Sequence, residues 1–427
     1  MRFSTLKDWL AWQEQLHPNP IDLGLERVQR VLQAMQLERP AFKMLTVGGT
    51  NGKGSCVAFL DAMLRAQGYQ AGAYTSPHLL RYNERICVDG VEAADGELCE
   101  AFERIDAARG DVSLTYFEFG TLAALDIFRN HSIEVAVLEV GMGGRLDAVN
   151  AVNPLGALVV SVGLDHQEWL GPDRDSIGYE KAGIYRRGRP AICGDRDPPQ
   201  RLLQTAQQIG VELQVLGRDF DWRGADSGWS WQQGAAHIGN LPSPGMPGQI
   251  QYDNAASAIA LLQAVRADLA VSEAAIRKGL QQARIRARFE RVPGEVELIF
   301  DVAHNQDAAR VLASNLDATR GIGRTFAVVG MYRDKAAGAV AQALGARIDS
   351  WHLGGLGGPR GQTAAELAAR LRSALPRVRL HAHASVIDAW QAARADAGRS
   401  DRIVIFGSFQ TVSAILRILR ESVTNVT

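Results

Sequence analysis

The residues best suited to chemistry lie in a glycine-rich segment near residue 50, Thr46-Val47-Gly48-Gly49-Thr50-Asn51-Gly52-Lys53-Gly54-Ser55. An apolar run precedes it and a run with helical spacing follows it. Glycines let backbone N–H groups approach phosphate oxygens, and the positive end of the following helix attracts the same oxygens. Lys53 would neutralise charge on a transferred phosphoryl group. The segment therefore predicts a phosphate-binding loop.

The match to the usual phosphate-loop pattern is incomplete. Val47 occupies the first glycine position, and Gly54 stands where the magnesium-binding hydroxyl normally follows the lysine. A glycine-rich turn that binds nothing is the alternative. Because the hydroxyl is displaced by one residue, we expect part of the metal coordination to come from elsewhere in the chain.

A second candidate is Glu139, which ends the apolar run Ile133–Val140 and precedes a glycine-rich turn. In doubly wound sheets, ligands sit at the carboxyl ends of the strands. A carboxylate at that position is typical of a magnesium ligand beside a nucleotide. In the alternative interpretation Glu139 caps a helix or pairs with Arg145.

Composition limits the class of protein. The chain has 427 residues, of which 46% are hydrophobic, and its 46 Lys and Arg nearly balance its 47 Asp and Glu. We therefore expect a folded protein of about two to three domains that binds neither nucleic acid nor membranes. Four cysteines without a C-x-x-C pair, and no long apolar run, indicate a cytoplasmic protein.

Strand-like and helix-like runs alternate along the chain, which predicts a mostly parallel sheet covered by helices. The first series of predicted strands is Ala41–Val47, Gln70–Tyr74, Ile133–Val140, Gly156–Val162, Arg189–Cys193 and Val211–Leu216. Asp219–Gly248 is rich in Gly, Trp, Ser and Pro and predicts a β excursion with loops. Helical runs follow at Asp253–Ala267 and Glu273–Ala283.

A second α/β series begins near Phe289, with predicted strands at Val296–Val302, Thr325–Val329, Ser350–Leu353 and Arg402–Phe406. We predict an α/β fold in which a P-loop ATPase domain with a mostly parallel sheet, residues 1–287, precedes a smaller Rossmann-like α/β domain, residues 288–427.

Several motifs, taken in order, resemble the folylpolyglutamate synthase family of the Mur ligase superfamily, and in particular its bacterial members with both dihydrofolate synthase and folylpolyglutamate synthase activity. They are Gly49–Ser55, Thr75-Ser76-Pro77-His78, Leu138-Glu139-Val140-Gly141, Leu164-Asp165-His166, Glu180-Lys181-Ala182-Gly183-Ile184, Tyr252–Ala256, Arg288-Phe289-Glu290, Phe300–Asn305 and Phe406-Gly407-Ser408-Phe409. Nearly the whole chain is covered.

The resemblance implies ATP and Mg²⁺ as cofactors. ATP contacts would come from Asn51, Gly52, Lys53, Gly54, Ser55, Asn254, Arg288 and Asp301. Metal ligands would be Ser76, Glu139, His166 and Lys181. Lys181 would act as a carbamate, because an ammonium repels Mg²⁺ whereas the CO₂ adduct is an anionic oxygen ligand. From the residues alone, a structural role is favoured for His166, and an ordinary surface position on a helix is favoured for Lys181.

The resemblance also implies that Asn254 lies on the nucleotide base side and that Arg288 and Asp301 reach ATP across the domain junction. His304, three residues after Asp301, is a candidate catalytic residue together with Lys53 and Lys181. Arg288 could instead belong to a solvated basic cluster with Arg284, Arg286 and Arg291. The family usually has glycine where this chain has Ala287.

A pterin substrate would bind at two further segments, Ile21–Val28 and Leu114–Thr121. The implied contacts are Asp22, Leu23, Gly24, Leu25, Thr115, Phe117, Asp147 and Ala148. Phe117 could stack on a flat heterocycle, with Asp22, Thr115 or Asp147 hydrogen bonding to it. Without the resemblance, an aromatic stripe at a helix start is more typical of a core.

The implied reaction joins L-glutamate to dihydropteroate, forming dihydrofolate, and adds further glutamates to tetrahydrofolate through an acyl phosphate. We expect a monomer, with glutamate held in the second domain near Ser408 or His304. A monofunctional folylpolyglutamate synthase and a non-enzymatic nucleotide switch are the alternatives. A muramyl amino-acid ligase is disfavoured, because too little chain precedes the phosphate loop for a UDP-binding domain.

Overall fold

The computed structural model describes residues 2–225, 228–319 and 323–424. The chain forms two compact units. The N-terminal unit comprises Met1–Gly245 and Gln251–Arg284, and the C-terminal unit comprises Met246–Ile250 and Ile285–Thr427. The boundary predicted after residue 287 is close to this division, whereas the place of Met246–Ile250 in the second unit was not predicted.

The N-terminal unit is built on an eight-stranded sheet. Its strands are β1 Lys43–Gly48, β2 Ala71–Tyr74, β3 Ile86–Val88, β4 Val91–Glu92, β5 Val135–Glu139, β6 Gly156–Val159, β7 Ala191–Cys193 and β8 Leu213–Val215. The order across the sheet is β4-β3-β2-β5-β1-β6-β7-β8, and only the pairings of β2 with β3 and of β3 with β4 are antiparallel. The predicted parallel arrangement is confirmed.

Helices cover both faces of this sheet, and its strands are therefore apolar on both faces. They are α1 Leu6–Leu16, α2 Glu26–Ala34, α3 Lys53–Gln67, α4 Asp95–Arg109, α5 Tyr116–Asn130, α6 Gln167–Leu170, α7 Arg174–Ala182, α8 Gln200–Ile209, α9 Ile250–Ala264 and α10 Glu273–Gln282, with 3₁₀ turns at Tyr82–Arg85 and Ala148–Ala151. Every residue of β5 is buried. Continuous burial is typical of a parallel strand between two helical layers.

The predicted β excursion is a separate three-stranded antiparallel sheet. Its strands are β9 Phe220–Ala225, β10 Gly228–Gln233 and β11 Ala236–Leu241, in the order β11-β10-β9. Trp229 and Trp231 alternate with half-buried residues along β10 and are fully buried. This alternation places both indoles on the packed face.

The C-terminal unit contains a six-stranded sheet. Its elements are β12 Glu290–Val292, β13 Glu297–Phe300, α11 Gln306–Ala318, β14 Thr325–Val329, α12 Ala337–Leu344, a 3₁₀ turn Gly345–Arg347, β15 Ser350–Gly354, α13 Ala364–Arg372, β16 Arg379–His383, α14 Val386–Asp396, β17 Arg402–Phe406 and α15 Phe409–Thr424. The strand order is β12-β13-β17-β14-β15-β16, antiparallel only between β12 and β13.

All ten strands predicted in the two α/β series are present, with bounds that differ by a few residues. The short strands β3, β4, β12 and β16 were not predicted. Three of them, β4, β12 and β16, are edge strands with few apolar residues; β16, for example, reads Arg-Leu-His-Ala-His. β3 has only three residues, Ile86–Val88. Edge strands face solvent and need little apolar surface. Within the described ranges, no helix has the length and apolar character to cross a membrane.

Candidate functional site

The glycine-rich segment forms a tight loop between β1 and α3. Gly49 and Gly52 adopt φ values of 146° and 85°, which side chains other than glycine rarely allow. The loop is held by the residues after β6: the Thr50 N–H donates to the Ser161 carbonyl at 2.8 Å, and the Asn51 N–H donates to the Ser161 hydroxyl at 3.0 Å. Ser161, which sequence reasoning missed, therefore fixes the loop.

Helix α3 begins at Lys53, directly after Gly52. Because glycine has no capping side chain, the first N–H groups of α3 remain open to an anion. The Lys53 ammonium donates to the carbonyls of Gly49 and Thr50 at 3.1 and 3.3 Å, so it folds back over the loop. These features are those of a phosphate-binding loop.

The predicted nucleotide contact Asn254 lies in α9 against this loop. A Cβ added to Gly52 would come within 2.7 Å of Asn254 Oδ1. The Asn254 side chain is buried and its amide donates to Gln251 Oε1 at 3.0 Å. The structure therefore brings a residue 202 positions away in sequence against the loop, through α9.

Two predicted metal ligands meet at the carboxyl edge of the sheet. The Ser76 N–H donates to Oε2 of Glu139 at 3.3 Å, which joins the loop after β2 to the end of β5. Glu139 is 5% exposed. His166 follows β6, directly precedes α6 as its N-cap residue and has φ 51°. Because β2, β5, β1 and β6 are neighbouring parallel strands, the loops that follow them share one edge with the phosphate-binding loop.

Lys181 lies in α7 and is 3% exposed, so the alternative of an ordinary surface lysine is wrong. Burial, and secondly the positive charge of Lys53, lower the pKa of Lys181 to about 7, while Asp165 and Asp147 act in the opposite direction. These electrostatic interactions place Lys181 near both the phosphate loop and the segment that contains His166.

The donors present fit a hard divalent cation. A Glu carboxylate and a Ser hydroxyl are oxygen ligands of the kind that Mg²⁺ prefers. The described residues contain no ready group of three or more His, Cys, Asp or Glu side chains for a metal. The predicted set includes two such side chains, Glu139 and His166, together with Ser76 and the carbamate of Lys181.

The glycine-rich turn after Glu139 packs on α7. The Arg145 guanidinium pairs with Glu180 at 2.8 Å, so the alternative pairing of Arg145 with Glu139 is wrong. The Arg145 N–H donates to the Glu180 carbonyl at 2.8 Å, and the Asn150 side chain donates to the Gly183 carbonyl at 3.0 Å. These contacts hold Lys181 at a fixed position beside the turn.

The two segments predicted to bind a pterin come together with the turn that contains Asp147. The Gly24 N–H donates to the Leu146 carbonyl at 3.2 Å, next to Asp147 and Ala148. Arg27 donates from Nη1 to Asp22 at 2.8 Å and from Nε to Glu118 at 3.1 Å. Leu23 and Leu25 flank Gly24 and are half-buried.

Phe117 lies at the start of α5 and is half-buried rather than in the core. Its ring centroid is 5.9 Å from that of Tyr74, and a Cβ added to Gly141 would come within 2.6 Å of the ring. Thr115 caps α5 by accepting the Glu118 N–H at 3.2 Å. An aromatic face and polar groups thus converge, as in a site for a flat heterocycle.

Asp147 is buried and accepts the Met142 N–H at 2.9 Å and the Val149 N–H at 3.0 Å. Burial raises the pKa of Asp147 to about 6, although these N–H groups act to lower it. Sequence reasoning missed Arg27 and His17 as groups that hold Asp22; His17 Nε2 lies 3.0 Å from Asp22 Oδ2. The positive charge of Arg27, five positions after Asp22, was the feature of the sequence that could have predicted this contact.

In the C-terminal unit, Arg288 lies on a turn between two residues with left-handed backbone. Ala287 has φ 55° and Phe289 has φ 52°. The Asp301 carboxylate accepts the Phe289 N–H at 2.9 Å and the Ala303 N–H at 2.8 Å. His304 follows, and its Nδ1–H donates to the Val302 carbonyl at 2.8 Å. Asp301 therefore joins the Arg288 turn to the segment that contains His304.

Two arginines near Arg288 form ion pairs at the surface, and the solvated basic cluster stays an alternative interpretation of Arg288. Arg286 pairs with Glu290 at 3.3 Å and Arg291 with Glu297 at 2.6 Å.

Ser408, a candidate for glutamate binding, is buried, and its hydroxyl lies 2.8 Å from that of Thr411 at the start of α15.

Comparison with known proteins identifies the family of this chain. Residues 287–409 match the family model described as Mur ligase, glutamate ligase domain. The chain is 43% identical over 416 residues to the dihydrofolate synthase/folylpolyglutamate synthase of Escherichia coli (strain K12), covering 97% of this chain and 96% of that protein.

Two solved structures are similar along almost the whole chain. E. coli FolC in complex with DHPP and ADP superposes with a TM-score of 0.92 at 43% identity, covering 98% of each chain. A bifunctional folylpolyglutamate synthase/dihydrofolate synthase with Mn, AMPPNP and L-glutamate bound has a TM-score of 0.89 at 43% identity, again with 98% of each chain covered. The chain therefore belongs to the dihydrofolate synthase/folylpolyglutamate synthase family of Mur ligases.

Proposed function

We propose that this chain joins L-glutamate to dihydropteroate, forming dihydrofolate, and adds further L-glutamates to tetrahydrofolate through the γ-carboxyl, with hydrolysis of ATP to ADP and phosphate. One observation carries the proposal. The phosphate loop with Lys53, the Ser76–Glu139 pair and the turn that ends in Asp147 follow adjacent strands of one sheet. A nucleotide phosphate and a pterin-bearing acid bound there would be close to each other.

The nucleotide would be held by the phosphate loop. The residues assigned to it are Asn51, Gly52, Lys53, Gly54 and Ser55, with Asn254 beside Gly52. Backbone N–H groups at the start of α3 would bind phosphate oxygens, and the Lys53 ammonium would move from the Gly49 and Thr50 carbonyls to the terminal phosphate.

The divalent cation would be held by Ser76, Glu139, His166 and a carbamate of Lys181. When bound, it neutralises charge on the transferring phosphoryl group. The lowered pKa of Lys181, about 7, raises the fraction of neutral amine, and the neutral amine is the form that adds CO₂. The product carbamate carries a negative charge and replaces an ammonium that would repel the cation.

The pterin would lie among Asp22–Leu25, Thr115, Phe117, Asp147 and Ala148. Phe117 supplies a ring face, and the Asp22 carboxylate, held by Arg27, is an acceptor for the ring N–H groups. The pterin is then fixed at one end, which orients the carboxylate at the other end toward the phosphate loop.

The chemistry proceeds in two steps. A carboxylate oxygen of the substrate attacks the γ-phosphorus of ATP, which breaks the bond to ADP and gives an acyl phosphate. The amine of glutamate then attacks the acyl carbon, expels phosphate and loses a proton to form the amide. Lys53 and the loop N–H groups stabilise the charge that develops on the phosphoryl oxygens.

In the C-terminal unit, we assign Arg288 and Asp301 to ATP binding, and His304 to the catalytic machinery. Their support is local: Asp301 holds both the Arg288 turn and the segment before His304. Ser408 and His304 are the candidates for glutamate binding. We further propose a cytoplasmic monomer, in keeping with four free cysteines; light scattering tests the monomer.

A product assay with purified protein, ATP, Mg²⁺ and L-glutamate tests the function. Dihydropteroate and tetrahydrofolate are supplied separately, and products and ADP are measured. We expect dihydrofolate from the first and a lengthened glutamyl chain from the second. Product from tetrahydrofolate alone would indicate a monofunctional enzyme, and ADP release that needs neither acceptor would indicate a nucleotide switch.

Variants of two lysines make the assay specific. Lys53→Met should lower the rate of both reactions by about 10²- to 10³-fold, the scale of losing one preorganised charge donor. Lys7→Met, which removes an exposed lysine of α1, should leave both rates unchanged.

A further inference from the structure

Arg85 is one of two buried arginines within the described ranges, at 8% exposure, beside Arg402 at 7%. Arg402 donates from Nε to the Thr325 hydroxyl at 2.8 Å and from Nη1 to the carbonyls of Leu316 and Thr319 at 3.2 and 3.1 Å. Its guanidinium is thus satisfied by the fold on at least two of its nitrogens. Arg85 is bonded very differently.

The Arg85 guanidinium is held on one side only. Its Nε–H donates to His78 Nδ1 at 2.9 Å, and its central carbon lies 5.2 Å from the ring centroid of Tyr82 and 5.4 Å from that of Tyr116. Among the described residues, no carboxylate pairs with it and its Nη1 and Nη2 groups donate to none. The charged fork is therefore positioned but lacks an anion.

Neither Nη1 nor Nη2 of Arg85 is among the enclosed polar atoms without a partner in the described ranges, so solvent reaches both groups. Arginine stays protonated in proteins, and a charge without a counter-charge attracts an anion. Two cation–π contacts and one hydrogen bond fix the orientation of the guanidinium. The free Nη1 and Nη2 groups form a fork whose geometry matches the two oxygens of a carboxylate.

The position of Arg85 indicates which carboxylate this is. The Thr75 N–H donates to the Arg85 carbonyl at 2.9 Å, so Arg85 is adjacent to the segment whose next residue, Ser76, bonds Glu139. The Arg85 guanidinium contacts the ring of Tyr116, and Tyr116 immediately precedes Phe117 at the start of α5. Arg85 thus contacts the residue before the proposed cation ligand Ser76 and the residue before the proposed pterin contact Phe117.

A buried hydroxyl near Arg85 also lacks a partner. The Tyr82 hydroxyl forms no hydrogen bond with the described residues and is fully enclosed. It lies 2.7 Å from where a Cβ on Gly120 would be, and Tyr74 is 3.0 Å from the same point. The surroundings of Arg85 therefore hold polar groups that the protein itself does not satisfy.

We propose that the Arg85 guanidinium binds a carboxylate of the pterin-bearing substrate. The inference rests on the proposed function and deepens it by assigning the group that receives the acid end of the substrate. Dihydropteroate has a single carboxylate, the one that is activated. Tetrahydrofolate has an α- and a γ-carboxylate on its glutamyl group. Comparing the two substrates therefore shows which carboxylate binds Arg85.

Equilibrium binding tests this proposal with a matched pair of ligands. The dissociation constants of dihydropteroate and of the same molecule without its carboxylate are measured for the wild-type chain and for Arg85→Met. We expect Arg85→Met to raise the dissociation constant of dihydropteroate by about 10- to 100-fold, the scale of losing a charge-assisted hydrogen-bonded pair. The carboxylate-free analogue should bind both proteins equally.

Two further variants provide the controls. Arg81→Met removes an exposed arginine of the same segment, which pairs with Asp95 at 3.2 Å, and should change neither dissociation constant. Arg85→Lys keeps the charge without the fork and should weaken dihydropteroate less than Arg85→Met does, with the analogue again unaffected. It also provides a result if Arg85→Met does not fold.

The outcomes separate the possibilities. Equal weakening of dihydropteroate and its analogue would overturn the proposal and make Arg85 a support of the pocket. Unchanged binding of both dihydropteroate and tetrahydrofolate would overturn it as well. If Arg85→Met weakens the binding of tetrahydrofolate but not of dihydropteroate, the proposal is supported, and the carboxylate that binds Arg85 is the α-carboxylate. Wild-type protein that binds no dihydropteroate and makes no product would instead overturn the proposed function, and this proposal with it.

Discussion

The N–H of Phe289 donates to the Asp301 carboxylate at 2.9 Å, and this bond closes the turn that presents Arg288. The residues on both sides of Arg288 have positive φ, at 55° for Ala287 and 52° for Phe289. A second carboxylate, that of Glu290, accepts the Ala287 N–H at 2.8 Å. Two acidic side chains therefore hold the backbone on both sides of Arg288 in the left-handed conformation.

Ala287→Gly should stabilise the protein. A non-glycine residue in the left-handed region costs about 1–2 kcal/mol, and glycine removes that cost at the expense of some backbone entropy. We expect a net gain of about 1 kcal/mol in the free energy of unfolding of the C-terminal unit, measured by urea denaturation.

The control for this variant is Gly188→Ala, which makes the opposite change at a positive φ of 71° with nothing within 4 Å of the new Cβ. It should destabilise the N-terminal unit by a similar amount. A fall in stability with Ala287→Gly would mean that the alanine methyl contributes more by packing than it costs in strain.

Gly141→Ala should impair the pterin site specifically. The new Cβ would come within 2.6 Å of the Phe117 ring, so the ring must move. Displacements of about 1 Å in a substrate-positioning group cost up to about 100-fold. We expect the KM for dihydropteroate to rise at least about tenfold while the KM for ATP stays constant, in steady-state kinetics.

Gly96→Ala, where a Cβ meets nothing within 4 Å, is the matched substitution and should change neither KM. Equal increases in both KM values for Gly141→Ala would contradict a role for Phe117 that is confined to the pterin.

Activity should depend on dissolved CO₂ through Lys181. Protein prepared and assayed in CO₂-free buffer should lose activity and regain it on addition of bicarbonate, because the buried amine, whose pKa is about 7, forms its carbamate only when CO₂ is present. NMR with ¹³C-labelled bicarbonate should show one protein-bound carbamate signal, which Lys181→Met removes.

Lys181→Met should also lower both ligase rates by about 100-fold or more, the scale of losing a metal-orienting group. A labelled signal that persists in this variant would assign the carbamate to another amine, and activity independent of CO₂ would show that the lysine acts unmodified.

The C-terminal unit should lose stability in mild acid because of His352. This side chain is 1% exposed and stacks on His381 and His383, with ring centroids 5.0 and 5.4 Å away. Burial, followed by the charges of those two histidines, lowers the pKa of His352 to about 4, while Asp396 opposes the shift. As the pH falls below about 6.5, the unfolded chain binds a proton that the folded chain does not.

Stability should therefore fall progressively between about pH 6.5 and 4, seen as a lower urea midpoint for the C-terminal unit. His352→Gln should flatten this dependence, whereas His237→Gln, which removes an exposed histidine of β11, should not. An unchanged pH profile in His352→Gln would place the acid sensitivity in other groups.

The sequence alone was enough to predict the βα alternation, the phosphate loop and the motifs that resemble one family. These features are local, because a glycine pattern, an apolar run or a short motif is contained within about ten residues. Lys53 could be identified as a candidate without knowing its neighbours. Edge strands such as β16 could not be predicted from the sequence, because they contribute few apolar residues to a core.

The tertiary structure decided which distant residues meet and which of them are buried. Ser76 and Glu139 are 63 positions apart and join only because β2 and β5 are neighbours in the sheet. Lys181 could have been a surface lysine, and its burial is what lowers its pKa. Arg85 had no signal in the sequence, because an arginine that lacks a counter-charge is recognised only once its surroundings are known. Burial and charge pairing arise from the whole fold, and no short segment contains that information.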